Sequence, residues 1–423
     1  MPPSLHAVLG ASSAHRWLVC TPSARLSEKF DQRYGRKESE YAAEGTKAHA
    51  LGELKIRQAL YKADGMTAAK HSRMGKAEQE AYPGINSRRY KALRDALGDI
   101  PEDMEQATDS YCDVVMSKYL RTREADPGAQ LLLEQRLDYS TWVPSGFGTG
   151  DAVIVSDRLL EIMDYKHGTG IPVSAVDNPQ LRLYGLGAYA RFHTLFNFPA
   201  VRMTIIQPRL ESVTEETLAV DELLHWAETA VVERAKLAWA GTGEFVPGEH
   251  CRFCSAKAVC SARVARGLKV FQYGLEAPDL ISDEQLADIL PLLDDAAAWI
   301  ADIKAYAENQ ALHGQRIPGY KLVRGKKPNR VWSNTEEVEA ALLRSGYPED
   351  VFRETRLKPP GQIEKALGKT AFQAILSDYV AQGEGKLILV PESDKRLEYS
   401  STAAVFDDLG DLAAEETNNP QNQ

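Results

Sequence analysis

No stretch of this 423-residue chain approaches the roughly 20 consecutive apolar residues that span a bilayer. Its opening residues, MPPSLHAVLGASSAHRW, have neither the basic start nor the long apolar core of a secretory signal. Both absences point to a cytoplasmic location. Cysteine is scarce: five residues, an odd number spread over a long chain, argue against a disulfide framework and leave metal binding or plain burial. No G-x-x-x-x-G-K-[ST] phosphate loop occurs, so any strand unwinding would belong to a partner. Internal repeats are absent as well. The formal net charge of -10 disfavours nonspecific nucleic-acid binding by the whole surface but leaves room for a local basic groove.

What is present is an ordinary globular composition on a chain long enough for two or three domains. Its chemistry is concentrated between Gly146 and Tyr189. The runs AVIV after Asp151 and LLEIM before Asp164 are short and aliphatic, and Ser156, Asp157 and Arg158 separate them. That pattern predicts a hairpin of buried strands, with both aspartates at one sheet end. Lys166 lies two residues beyond Asp164 and shares its face. Two carboxylates beside an amine suit metal-assisted phosphodiester hydrolysis. The carboxylates are hard ligands for Mg²⁺ or Mn²⁺, and the lysine can position or deprotonate water and offset phosphate charge. Taken alone, the same D-x-K also fits a surface ion pair.

Around this stretch the chain reads in order. A short helix ends near Cys20, and a longer one over 41–64 carries His49 and Glu53 on one face. Residues 65–100 are polar, basic and weakly patterned, and 103–125 reads as an amphipathic helix in which Cys112 is a small buried apolar residue. A strand from Gln130 carries Glu134, which fits either a place near the site or solvent. After the hairpin come a helix with Gln180 and Tyr184 one turn apart, a strand after Phe198 and a long helix ending near Gly241. Strands flanked by helices predict an α/β or α+β core. A boundary is expected near 275, giving a first domain over 1–274 and a mostly helical accessory domain over 275–405. The second opens with the capping signal Ser282-x-x-Gln285 on a helix reaching about Leu312, then a basic strand and turn and two shorter helices. Residues 406–423 are acidic and polar enough to be disordered.

The pieces GTKAH with His49, GTGD with Asp151, MDYKHG with Asp164 and Lys166, and QLRLY with Gln180 and Tyr184 together resemble one family. It is the RecB-type branch of the PD-(D/E)xK nucleases, which includes the RecB and AddB nuclease domains, CRISPR-associated exonucleases with an iron-sulfur cluster, and stand-alone phage proteins. The resemblance covers roughly residues 12–265, in the family's order. It implies a restriction-endonuclease-like core in which His49, Asp151, Asp164 and the Tyr165 carbonyl bind the metal. Lys166 would be the catalytic lysine, and Gln180 and Tyr184 would line the cleft. It further implies exonucleolytic cleavage at DNA ends or single strands in recombination, repair or phage replication. A helicase, recombinase or single-strand-binding protein would be the partner, and oligomerisation stays open. The competing expectation is a DNA-binding or assembly protein that keeps the fold without turnover, against which the intact Asp151, Asp164 and Lys166 speak.

Cys251-x2-Cys254-x5-Cys260 is a compact trio that lacks one ligand for a closed four-coordinate site, and Cys20 is the candidate fourth. One distant N-terminal cysteine completed by a C-terminal trio is the layout of the iron-sulfur staple in the relatives just named. It implies a [4Fe-4S] cluster tying the two ends of the domain together. Four thiolates suit Zn²⁺ too, and the isolation of Cys20 favours iron-sulfur. Two basic clusters could follow a polyanion: Arg252, Lys257, Arg263, Arg266 and Lys269 in the cysteine segment, and Lys321, Arg324, Lys326, Lys327 and Arg330 beside Trp332. Either also fits a solvated charged face.

Overall fold

The computed structural model describes residues 7–35, 40–272, 282–353, 357–383, 385–391 and 394–399. It is a mixed α/β protein that divides within the Asp283–Leu312 helix into two compact units, Met1–Trp299 and Ile300–Gln423. The boundary expected near 275 and the acidic tail over 406–423 lie outside the described residues. The helix itself starts as its capping signal predicts. Gln285 N–H donates to Ser282 Oγ at 3.2 Å, and Ser282 N–H to Gln285 Oε1 at 2.9 Å. Among the described residues no helix is long and apolar enough to cross a membrane.

The first unit is built on one five-stranded sheet whose spatial order follows the sequence: β1 (Gln130–Asp138), β2 (Phe147–Val155), β3 (Leu160–Tyr165), β4 (Ala200–Gln207) and β5 (Ser212–Ala219). All neighbours are antiparallel except β3 and β4, which run parallel because the Pro179–Phe192 helix carries the chain back across the sheet. Every residue of β3 is buried, as the unbroken run LEIMDY requires of a central strand covered on both faces. One face packs against that crossover helix and Trp17 through Val153, Val155, Leu160 and Ile162. The other packs against the Glu40–Ala63 and Glu102–Ala125 helices through Ile154, Met163 and Tyr165.

β5 falls where the sequence reading placed no strand. Its residues, SVTEETLA, alternate between half-buried and exposed, so the apolar signal is half that of the inner strands. The helix expected to end near Gly241 does so, with Gly241 at φ 70°, but Ala227–Val231 is a π-helical turn inside it. The weakly patterned region holds three short helices: Ala68–Arg73, Lys76–Ala81 and Ser87–Ala96. Cys112 is buried in the core beneath the second face.

Among the described residues the second unit has four short helices after the basic turn rather than two: Thr335–Arg344, Glu349–Phe352, Pro360–Leu367 and Lys369–Leu376. They enclose a small core of Val338, Leu342, Phe352, Ile363, Phe372 and Leu376. Two antiparallel ladders accompany them, Tyr320–Arg324 with Leu387–Pro391 and Val331–Trp332 with Val380–Ala381.

Candidate functional site

Pairing of Ala152 with Met163 sets Asp151 opposite Asp164, and pairing of Leu133 with Ala152 sets Glu134 opposite Asp151. Three carboxylates therefore form a row across three adjacent strands. Their approach depends on a local change of face. Leu131 and Leu133 enter the core under the Glu102–Ala125 helix, whereas Leu137, of the same parity, enters the opposite core. The strand turns over at Glu134, a non-glycine residue in the left-handed region at φ 48°. On the paired strand Gly148 already faces the crossover helix, since a Cβ there would meet the Tyr184 ring at 2.6 Å.

The remaining groups come from helices. Asn178 caps the crossover helix by accepting from the N–H groups of Gln180 and Leu181, and Pro179 occupies the first turn. This fixes Gln180 at the helix entrance. Its amide Nε2–H donates to Asp164 Oδ1 at 3.0 Å and to Tyr184 Oη at 3.3 Å, while its Oε1 accepts from Lys166 Nζ at 3.3 Å. Lys166 Nζ lies 2.6 Å from Asp164 Oδ2. From the other side of the sheet, His49 brings Nδ1 to 3.3 Å from Asp151 Oδ1, and its ring stands edge-on to Tyr165 with centroids 5.3 Å apart. Tyr165 N–H donates to Asp151 Oδ2 at 2.7 Å. Thus His49, Asp151, Asp164, Tyr165, Lys166, Gln180 and Tyr184 all meet at one sheet end. Glu134 joins them: single donor atoms of His49, Glu134 and Asp151 lie within 4.8 Å of one another.

The site is rich in negative charge. Burial, opposed by the charge of Lys166, and repulsion from Asp151 hold the Asp164 carboxyl above the usual range. Burial, with repulsion from Asp151 and Glu53, pushes the Glu134 carboxyl up to about 7. Burial of the His49 ring works against its protonation, but the charge and hydrogen bond of Asp151 and the charge of Asp164 outweigh it and push its pKa up to about 9. Lys166 is likewise raised, since the charge of Asp164 outweighs its burial. Carboxylate and imidazole donors converging at one sheet end fit a hard divalent cation that takes the place of the proton on His49. Glu53, by contrast, is turned to Arg57 at 2.6 Å.

Two supports escaped the sequence reading. Behind β3, Tyr165 Oη lies 2.8 Å from His167 Nδ1, and His167 Nε2 lies 3.2 Å from Glu44, which Arg209 also holds at 3.0 Å. The alternation of D-Y-K-H marks Tyr165 and His167 as sharing the face opposite Lys166, a readable signal. Gln207, buried at the end of β4, has no such signal. Its side chain donates to the carbonyls of Gly168 and Ile171 at 2.8 and 3.0 Å and accepts from Val173 N–H at 3.1 Å. It thereby fastens the loop leading from Lys166 to Gln180.

Cys20, Cys251, Cys254 and Cys260 line a single cavity, bringing the distant cysteine to the trio. Two polar groups approach their sulfurs: Gly248 N–H donates to Cys251 Sγ at 3.4 Å, and Ser27 Oγ shares a hydrogen bond with Cys254 Sγ at 3.5 Å. The four cysteines line one cavity without closing to the spacing of a single-ion site, since no three of their sulfurs lie within 4.8 Å of one another. The N-terminal segment is fastened to this region independently of any metal. Arg16 Nη1–H donates to Phe253 O at 2.8 Å, Thr21 Oγ1–H to Thr242 O at 2.7 Å, and Arg25 Nε–H to Trp239 O at 2.7 Å. The basic clusters are less free than their sequence suggests. Arg263 is 6% exposed, Arg266 bonds Asp295, and in the second unit Arg330 bonds Glu364.

Among solved structures, one titled "Crystal structure of SSO0001" is similar at 13% identity, covering 56% of this chain and 94% of that chain with a TM-score of 0.20, which is too low to carry an argument. The family described as "Protein of unknown function (DUF2800)" matches residues 6–397, and the chain belongs to that family.

Proposed function

We propose that the first unit is a divalent-metal-dependent DNA nuclease with a PD-(D/E)xK core of the RecB type. The observation that carries this reading is the meeting of Asp151, Asp164, Lys166 and Gln180 with His49 at one sheet end, from elements spread over more than 100 residues of chain. An isolated surface ion pair would need neither the histidine nor the glutamine.

Asp151, Asp164 and His49 would hold Mg²⁺ or Mn²⁺, with Glu134 within reach and the Tyr165 carbonyl as the further ligand the resemblance implies. When bound, such a cation polarises a phosphodiester oxygen and lowers the pKa of attacking water. The protein's own groups do the rest. Gln180 accepts from Lys166 and donates to Asp164, so it sets the distance between the ammonium and the carboxylate. Lys166 then presents positive charge where the phosphate accumulates negative charge. Tyr184, tied to Gln180, forms the wall of the cleft. DNA ends or single strands are the proposed substrate, and a helicase, recombinase or single-strand-binding protein the proposed partner. The cysteine cavity would hold a [4Fe-4S] cluster, with Zn²⁺ as the alternative occupant.

End-labelled single-stranded, blunt and tailed DNA incubated with Mn²⁺ tests the reading. Wild-type protein should degrade at least one of them. Lys166→Ala should lower the rate by at least ~10²-fold while DNA binding persists. Equal cleavage by Lys166→Ala would overturn the catalytic assignment. Binding without cleavage by wild type, with Mn²⁺ and again with Mg²⁺, would favour a DNA-binding protein instead.

A further inference from the structure

Arg16 sits one helical turn before Cys20, and Cys20 N–H donates to Arg16 O at 2.8 Å. The two residues therefore share a helix face. Arg16 is 8% exposed, and its Nε, buried, has no hydrogen-bond partner. An arginine is almost never buried this deeply without compensation, and an unsatisfied guanidinium nitrogen is costly. Its Nη1–H donates to Phe253 O at 2.8 Å, in the knuckle between Cys251 and Cys254, which leaves the Nε unsatisfied. Both Arg16 and the buried Arg263 line the cavity of the four cysteines, together with Lys257. Among the described residues that line it there is no aspartate or glutamate. A cavity walled by cations favours an anionic occupant.

We infer that Arg16 and Arg263 are charge-balancing residues for an anionic four-thiolate metal centre in this cavity, with Arg16 Nε–H directed to that centre. This rests on the cofactor proposed above and assigns work to two residues outside the ligand set. A divalent cation with four thiolates carries net negative charge, as does a [4Fe-4S] core in the same ligand field. Burying that charge requires cations alongside it. Arg16 provides one from the N-terminal side of the domain, and Arg263 provides one from the helix that follows the trio. Sequence alone offers Arg263 to a polyanion at the surface; its burial turns it inward.

The test uses the full chain purified anaerobically, with iron, sulfide and zinc quantified in the wild type, Arg16→Met, Arg16→Lys and Arg263→Met. The expected wild type holds iron and sulfide in near-equal amounts. Against an external chelator, Arg16→Met and Arg263→Met should lose metal at least ~10-fold faster, in the range known for groups that support metal ligands. Their reduction potentials should move to more negative values, because a neutralised cation makes adding an electron harder. Arg16→Lys, which keeps the charge but loses the planar fork, should recover the potential. It also separates charge from the loss of the Phe253 contact, and thermal melts of each variant report whether folding is intact. Unchanged metal retention and potential in both methionine variants would overturn the inference. A wild type that carries zinc would overturn the iron assignment, and zinc loss from the same variants then decides the arginine claim. A wild type with neither metal overturns both.

Discussion

Tyr165 donates its backbone N–H to Oδ2 of Asp151 at 2.7 Å, so the strand that carries Asp164 and Lys166 orients the carboxylate of its neighbour. With His49 at the other oxygen, Asp151 is held on both sides by the protein's own groups. A site arranged in this way is organised by its fold, and disturbances to that arrangement have measurable signs.

The first concerns pH. Folding raises His49 from its ordinary value to about 9, so its contribution is complete below the unfolded value near 6.5 and is lost as pH rises through about 9. In metal-free protein, His49→Gln should cost about 1–2 kcal/mol near pH 6 after allowance for partial exposure, and progressively less on the way to about pH 10. Denaturant midpoints across that range measure it. A cost that grows with pH would contradict the pairing with Asp151.

Glu134 pays for its position in backbone strain, at φ 48°. Glycine relieves roughly 1 kcal/mol of that strain and returns a similar amount to the unfolded chain, so Glu134→Gly should leave stability nearly unchanged. Glu134→Val, β-branched in the same conformation, should lose at least about 1–2 kcal/mol. If Glu134 contributes to the cation site, both variants should bind Mn²⁺ about 10-fold more weakly, as calorimetry would show. Unaltered affinity in Glu134→Gly would remove it from the site.

Gly148→Ala places a Cβ at 2.6 Å from the Tyr184 ring. The ring must shift, which loosens its contact with Gln180 and should lower cleavage by about 10-fold while costing about 1–3 kcal/mol of stability. Rates and thermal midpoints measured together distinguish this from general unfolding.

Gln207→Leu removes three hydrogen bonds to the loop that follows Lys166. A cost of about 1–3 kcal/mol is expected, along with faster hydrogen exchange at the Val173 amide. Protection at Val173 equal to wild type would show that the loop is held by something else.

Much of the candidate site was legible because its signals are local. The strand period placed Asp164 and Lys166 on one face, the helix period placed Gln180 beneath Tyr184, and short aliphatic runs fixed β2 against β3. Glu134 stayed ambiguous because nothing in LLLEQRLD announces a left-handed residue in mid-strand. Gln207 could not be read, since a glutamine ending a strand looks the same whether it faces water or staples a loop. β5 was missed because an outer strand needs only half the apolar residues of an inner one. In the second unit, four helices of four to ten residues were reduced to two, being too short for a helical period to stand out.

The bonds joining the N-terminal helix to the cysteine knuckle carry a consequence for biosynthesis. Arg16 and Phe253 are 237 residues apart in sequence, and Thr21 and Thr242 are 221 apart. As the chain leaves the ribosome, its first helix can meet the sheet and crossover helix through Trp17, but the bonds of its segment to Thr242 and Phe253 must wait until almost the whole first unit has been made. The central strands can pair in that interval, but the unit cannot close. Insertion of the proposed cluster at Cys20 would therefore be one of the last events of assembly, and a truncated chain ending before Cys251 would lack the Phe253 carbonyl that Arg16 bonds.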